Sequence, residues 1–205
     1  MKLYYSPNAC SLAIHVLLEE IGKPYALHRV DFSNRAQYSA EYIAINPKSK
    51  VPVLERDDGT HLTELPAIAW YLARSNPQTA LLPTDIEGEA RALEIIDYLI
   101  ATVHMRGFTR IFRPENFSPT PEDKEKVQEA GKAVIRQGFE LIASALGEQE
   151  YLLGSFSIAD IVLFFLEFWG ARRAGMVLPP AIASHLERML RRPAVQRALA
   201  DEGLA

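Results

Sequence analysis

Asn76-Pro77 separates two stretches of chain with different periodicities, and no single uniform architecture accommodates both. Before it, short strand-like and helix-like pieces alternate. Lys2 to Tyr5 has the composition of a strand, broken by Ser6-Pro7-Asn8. Leu12, Val16, Leu17 and Ile21 recur at helical spacing, and Gly22 is placed to end that helix in the left-handed conformation. Tyr25 to Val30 is a second strand, and Gln37 to Ile45 a short helix ended by Asn46-Pro47. Val51 to Leu54 and His61 to Thr63 flank the turn Asp57-Asp58-Gly59, a β-hairpin pattern. Pro66 suits the first turn of a helix reaching about Ala73, because the N–H it lacks has no partner there. A strand–helix–strand unit favours parallel pairing and a hairpin adds antiparallel strands, so the order βαβαββα predicts a small mixed α/β sheet with helices on its faces.

From Ile86 onward the pattern is helical: Glu87 to Phe112, a proline-rich break at Pro114 to Pro121, Glu122 to Leu146, Ser157 to Ala174, and two short helices after Pro179. The expected domains are 1–76 and 84–205, joined by a linker over 77–83. Ser157-Ile158-Ala159-Asp160 has capping-box spacing, and the residues after it are apolar on every face, which marks a central core helix.

Charge and cysteine usage narrow the function. A formal net charge of −4 with no long basic run argues against nucleic-acid binding. The longest apolar stretch, Ile158 to Trp169, is broken by Asp160 and Glu167 and is too short to span a bilayer. The N-terminus has no apolar run of signal-peptide length, and the one cysteine excludes an internal disulfide, so a cytoplasmic protein is expected. No His or carboxylate pair has metal spacing and no phosphate-cradling glycine pattern exists, so no metal is expected.

That cysteine, Cys10, falls at the amino end of the first helix. Backbone N–H groups and the helix dipole there lower thiol pKa values and create nucleophiles, although a free cysteine is also commonly a buried, inert residue. Ser11 beside it offers a hydroxyl donor to a bound thiolate. With no second cysteine, a mixed disulfide at Cys10 must be resolved by an external thiol, which points to a small thiol co-substrate. In the long helix, His104 stands seven residues, two turns, after Asp97 and next to Arg106. His15, His28, His61 and His185 carry no such signal.

The segments MKLYYSPNACSLAIH, NPKSKVPVL followed by DGTHLTE, DYLIATVHMRGF and FSIADI run through nearly the whole chain. Together they resemble the bacterial beta-class cytosolic glutathione transferases. The resemblance implies a thioredoxin-like N-terminal domain, an all-helical bundle as the C-terminal domain, and a homodimer. It implies a cis Val51–Pro52 bond, with the Val51 backbone pairing to glutathione like an added strand. Glu64 then meets the glutamyl amine, and the first-turn N–H groups that begin at Leu65 meet the glutamyl carboxylate. Arg35 is expected at the glycine carboxylate, Asp97 adds acidity across the dimer, and His104 with Arg106 borders the sulfur and second substrate.

Three positions depart from the family pattern. Leu65 stands where a small residue is usual, Ser49 where a glycine is common, and His104-Met105-Arg106-Gly107-Phe108 is one residue longer than the usual His-Lys-Gly-Phe.

The activity implied is transfer of glutathione to a small hydrophobic electrophile, with disulfide exchange through Cys10. The alternatives are a non-catalytic ligand-binding or protein-interaction subunit, and a specialised dehalogenase or ether-cleaving reductase. In the last case the acceptor pocket would draw on Asn8, Ala9, Thr109, Phe112 and Phe165.

Overall fold

A computed structural model gives the structure of residues 1–205. They form two compact units, Met1–Leu82 together with Leu190–Ala205, and Pro83–Met189. The sequence pattern assigns everything after residue 83 to the helical part. In the structure, Leu190–Ala205 groups instead with the first unit, because α9 (Pro193–Asp201) buries Val195, Ala198 and Leu199 and packs on α1 (Ser11–Ile21).

The first unit is thioredoxin-like. Its sheet has the order β2-β1-β3-β4, with β1 (Lys2–Tyr5) parallel to β2 (Ala26–Arg29) and antiparallel to β3 (Val53–Glu55), which pairs with β4 (His61–Thr63). The parallel pair is joined through α1, as a strand–helix–strand unit requires, and the Asp57-Asp58-Gly59 turn makes the hairpin. Leu12, Ile14, Val16 and Leu17 of α1 are fully buried, as are Ile68 and Leu72 of α3 (Leu65–Arg74). Gly22 ends α1 with φ +70°, its N–H bonded to the Leu18 carbonyl. The helix expected over Gln37 to Ile45 divides. Ser39 is extended and caps α2 (Ala40–Ile45) by accepting the Tyr42 N–H, so Ala36–Tyr38 forms a separate 3₁₀ turn.

The second unit is helical, as expected, with α4 (Ile86–Tyr98), α5 (Thr109–Phe112), α6 (Lys124–Leu146), α7 (Ile158–Phe168) and α8 (Pro180–Leu190). All eleven residues of α7 are buried, and Ser157 and Asp160 form the capping box. Asp160 accepts the Ser157 and Leu152 N–H groups, both at 2.8 Å. The expected continuous helix Glu87 to Phe112 is not uniformly α. Leu99–Phe108 is a π-helix, a form in which each N–H reaches back five residues. The Thr109 N–H bonds to the His104 carbonyl in that manner. A π segment takes one more residue per hydrogen-bonded turn than an α-helix without breaking the rod. The two-turn spacing of Asp97 and His104 is therefore not that of an α-helix.

Candidate active site

In the first unit, β1 ends at Tyr5, Ser6 to Ala9 turn the chain, and Cys10 stands at the N-cap position of α1. The turn needs Asn8 in the left-handed region, with φ +57°. Cys10 donates its S–H to the Val51 carbonyl at 3.4 Å. The Val51–Pro52 bond is cis, and Val51 is buried. Tyr42 and Asn46 hold the segment from behind, both donating to the Lys50 carbonyl at 2.7 Å. Cys10 and the Val51 edge, drawn from two distant parts of the sequence, thus meet.

The electrostatics correct the expectation of an acidic thiol. Burial pushes the Cys10 thiol up to about 12, against the lowering pull of the Cys10 and Ser11 backbone N–H groups and the nearby Lys50 charge. Glu64 adds to the upward shift. Loss of solvation outweighs the helix terminus, so at neutral pH the free protein holds a thiol that donates to Val51.

Ser11 is fully buried, and its hydroxyl exchanges hydrogen bonds with the Ser6 backbone, donating to the carbonyl and accepting from the N–H, each at 3.3 Å. The side chain closes the β1–α1 turn, and its N–H stands beside the thiol.

Glu64 precedes α3 with φ +71°, a strained backbone for a residue with a Cβ and one that clusters at functional positions. Its carboxylate is mostly exposed and paired with Lys48, whose ammonium also donates to Thr63 at 2.7 Å. Leu65 opens α3 and is buried, leaving its backbone as the polar part. Pro66 lacks an N–H, so Leu65 and Ala67 supply the first-turn donors. Arg35 is exposed with φ +56°, its guanidinium 5.2 Å from the Tyr38 ring centre. Lys48 and Lys50 were not singled out from the sequence. The signal was available in NPKSKVPV, where two cations flank the Val51 edge.

In the second unit, His104 is half-buried in an aromatic set, 5.3 Å from the Trp169 ring and 5.6 Å from Phe165. Phe112 meets Trp169 at 5.3 Å, and Arg173 lies 4.0 Å over Phe112. Asp97 on α4 and Arg106 in the π segment are both exposed. The Arg106 carbonyl accepts from Arg110 at 2.6 Å. Thr109 donates its hydroxyl to the His104 carbonyl at 3.3 Å.

A small mixed sheet presenting a cysteine at a helix amino end beside a cis-prolyl edge, joined to a helical unit, is the architecture of glutathione transferases. The N-terminal domain model of glutathione S-transferases matches residues 9–75, and the C-terminal domain model matches residues 99–193. Glutathione S-transferase GstA of Escherichia coli O157:H7 is 39% identical over 208 residues, covering all of both chains. Disulfide-bond oxidoreductase YfcG of Escherichia coli K12 is 27% identical over 209 residues, covering 97% of this chain and 94% of that one. The structure of a sphingomonad glutathione S-transferase complexed with glutathione superimposes with a TM-score of 0.86 at 33% identity, covering all of both chains. The chain belongs to the glutathione S-transferase family and is an enzyme of that family.

Proposed function

We propose that this enzyme transfers glutathione to small hydrophobic electrophiles, working in the cytoplasm as a homodimer. The observation that carries the reading is the meeting of the α1 amino end with the Val51–Pro52 edge, in a chain whose relative from a sphingomonad is complexed with glutathione. Laid along that edge, glutathione would exchange backbone hydrogen bonds with Val51 beside Pro52, and its sulfur would meet the Cys10 S–H and the Ser11 N–H. Those donors stabilise a thiolate, which attacks the electrophile and expels its leaving group. Glu64 is assigned the glutamyl amine, the first-turn N–H groups from Leu65 onward the glutamyl carboxylate, and Arg35 the glycine carboxylate. His104 is assigned to the acceptor substrate, whose apolar surface suits the half-buried Phe112, with Arg106 at its rim; Phe165, expected in the pocket, is fully buried and with Trp169 backs the His104 ring instead. Asp97 is the acidic group assigned to the dimer. The same donor set, complete in this chain, supports catalysis over a non-catalytic role. No helix is long and apolar enough to cross a membrane.

Disulfide exchange is the second activity, supported by Cys10 and by the relative named a disulfide-bond oxidoreductase. The deprotonated Cys10 sulfur would attack a disulfide, forming a mixed disulfide and releasing one thiolate, and glutathione would then displace it. A thiol held near 12 makes this the slower activity at neutral pH. The protein is expected to bind immobilised glutathione, to elute with free glutathione, and to melt higher in its presence. Cys10→Ala is expected to abolish exchange while retaining conjugation. Absence of both retention and thermal shift would overturn the glutathione reading.

A further inference from the structure

In α1, His15 is fully buried beside Tyr5 of β1, with its two ring nitrogens in different surroundings. Nδ1 lies 3.0 Å from Oε1 of Glu202, whose side chain is equally inaccessible. Oε2 of Glu202 accepts the Asn8 backbone N–H at 2.8 Å, two residues before Cys10. In the tautomer that donates Nδ1–H to Glu202, Nε2 is an acceptor.

That Nε2 has no hydrogen-bond partner, and it faces another acceptor, Oδ2 of Asp201, at 3.7 Å. One helical turn along α1, Glu19 completes a group of three whose ligand atoms all lie within 4.8 Å of one another. Two carboxylates and an imidazole nitrogen thus converge on one small volume, where a bound cation would be stabilised.

We propose that His15, Glu19 and Asp201 form a site for a divalent first-row transition ion of the zinc type, with Glu202 orienting the imidazole from behind. Three features support an ion rather than a proton alone. The donor set of one imidazole nitrogen and two carboxylate oxygens is one that zinc accepts. The Glu202–His15 pair reproduces the carboxylate–histidine arrangement that fixes the tautomer of metal-ligating histidines. Glu19 also lines a cleft of about 410 Å³ with Tyr25 and Arg197, which opens that ligand to solvent. Ligands of a tetrahedral zinc stand roughly 3.4 Å apart, so from separations of up to 4.8 Å the group needs to close by up to about 1.4 Å. Tyr25 donates to Oε1 of Glu19 and Arg197 pairs with Oε2, so the ion would share one of these oxygens through its second lone pair. Bound there, the ion would pin α9 to α1 and, through Glu202, the Asn8 turn that precedes Cys10.

The test uses the full chain carrying Cys10→Ala, which removes the only thiol that would compete for metal. After chelator treatment, zinc chloride is titrated calorimetrically and thermal midpoints are recorded, and cobalt chloride is followed by its visible spectrum. The expected results are one ion per chain, a raised midpoint, and cobalt bands of a nitrogen–oxygen site without sulfur charge transfer. Asp201→Asn changes an exposed residue and is expected to weaken zinc binding by about tenfold or more, and Glu202→Gln by about 10–100-fold. No saturable binding at millimolar zinc, or an affinity unaltered by Asp201→Asn and by Glu19→Gln, would overturn the site and leave a proton on Nε2.

Discussion

Nδ1 of His185 lies 2.9 Å from one carboxylate oxygen of Glu167 and 3.0 Å from the other, with both side chains inaccessible to solvent. The same ring places Nε2 3.3 Å from Oδ1 of Asp160, the carboxylate that caps α7. Burial alone would lower the His185 pKa, but hydrogen bonds to Asp160 and Glu167 outweigh it and lift the ring from 6.5 to about 9. Burial lifts Glu167 to about 7, opposed by His185.

Both groups therefore bind protons more tightly in the folded chain than in the unfolded one. For a raised histidine, the stabilisation is complete below the unfolded pKa and is lost as pH rises through the folded value. The thermal midpoint is expected to fall between about pH 6.5 and 9. In His185→Gln that slope should flatten, at lower overall stability. A midpoint that climbs across this window in the wild-type protein would contradict the assignment.

Cys10 is held as a thiol, so its alkylation by iodoacetamide should be slow at pH 7 and rise about tenfold per pH unit, without a plateau below pH 9. A plateau near pH 7 would mean that the helix terminus prevails over burial. Bound glutathione should protect the residue, read by mass spectrometry of the single cysteine.

Gly131 of α6 faces Gly107 of the π segment so closely that a Cβ on Gly131 would meet the Gly107 carbonyl oxygen at 2.8 Å. The obstacle is backbone, which cannot rotate aside. Gly131→Ala is expected to lower stability by roughly 1–3 kcal/mol, the cost of overpacking, measured by urea denaturation.

Ser49 occupies the left-handed region with φ +55°, a conformation that favours glycine. A residue with a Cβ gives up about 1–2 kcal/mol there, whereas glycine costs roughly 0.5–1 kcal/mol more in unfolded-state entropy. Ser49→Gly is expected to raise stability slightly, by up to about 1.5 kcal/mol on those terms, with glutathione affinity unchanged. A destabilised variant would show that the hydroxyl contributes more than the backbone strain removes.

Local chemistry made much of this protein legible. Gly22 and Pro66 marked the end of α1 and the first turn of α3, the Ser157–Asp160 spacing marked the α7 cap, and Asp57-Asp58-Gly59 marked the hairpin, because each acts within a few residues of itself. The π segment escaped detection because its apolar residues satisfy an α period about as well. The state of Cys10 also could not be read from position. Its helix terminus is a local property visible in the sequence, but the degree of desolvation that overrides it depends on side chains brought in from elsewhere.

The order of strands and helices, the change to an all-helical pattern and the identity of the lone thiol follow from the amino-acid sequence, since they rest on near-neighbour propensity and spacing. Tertiary structure alone decided which buried groups share protons or lone pairs. His15 meets Asp201 and Glu202 across more than 180 residues, and His185 meets Glu167 from another helix. Such pairings are made by the packing of helix on helix, and no periodicity within either helix encodes its partner.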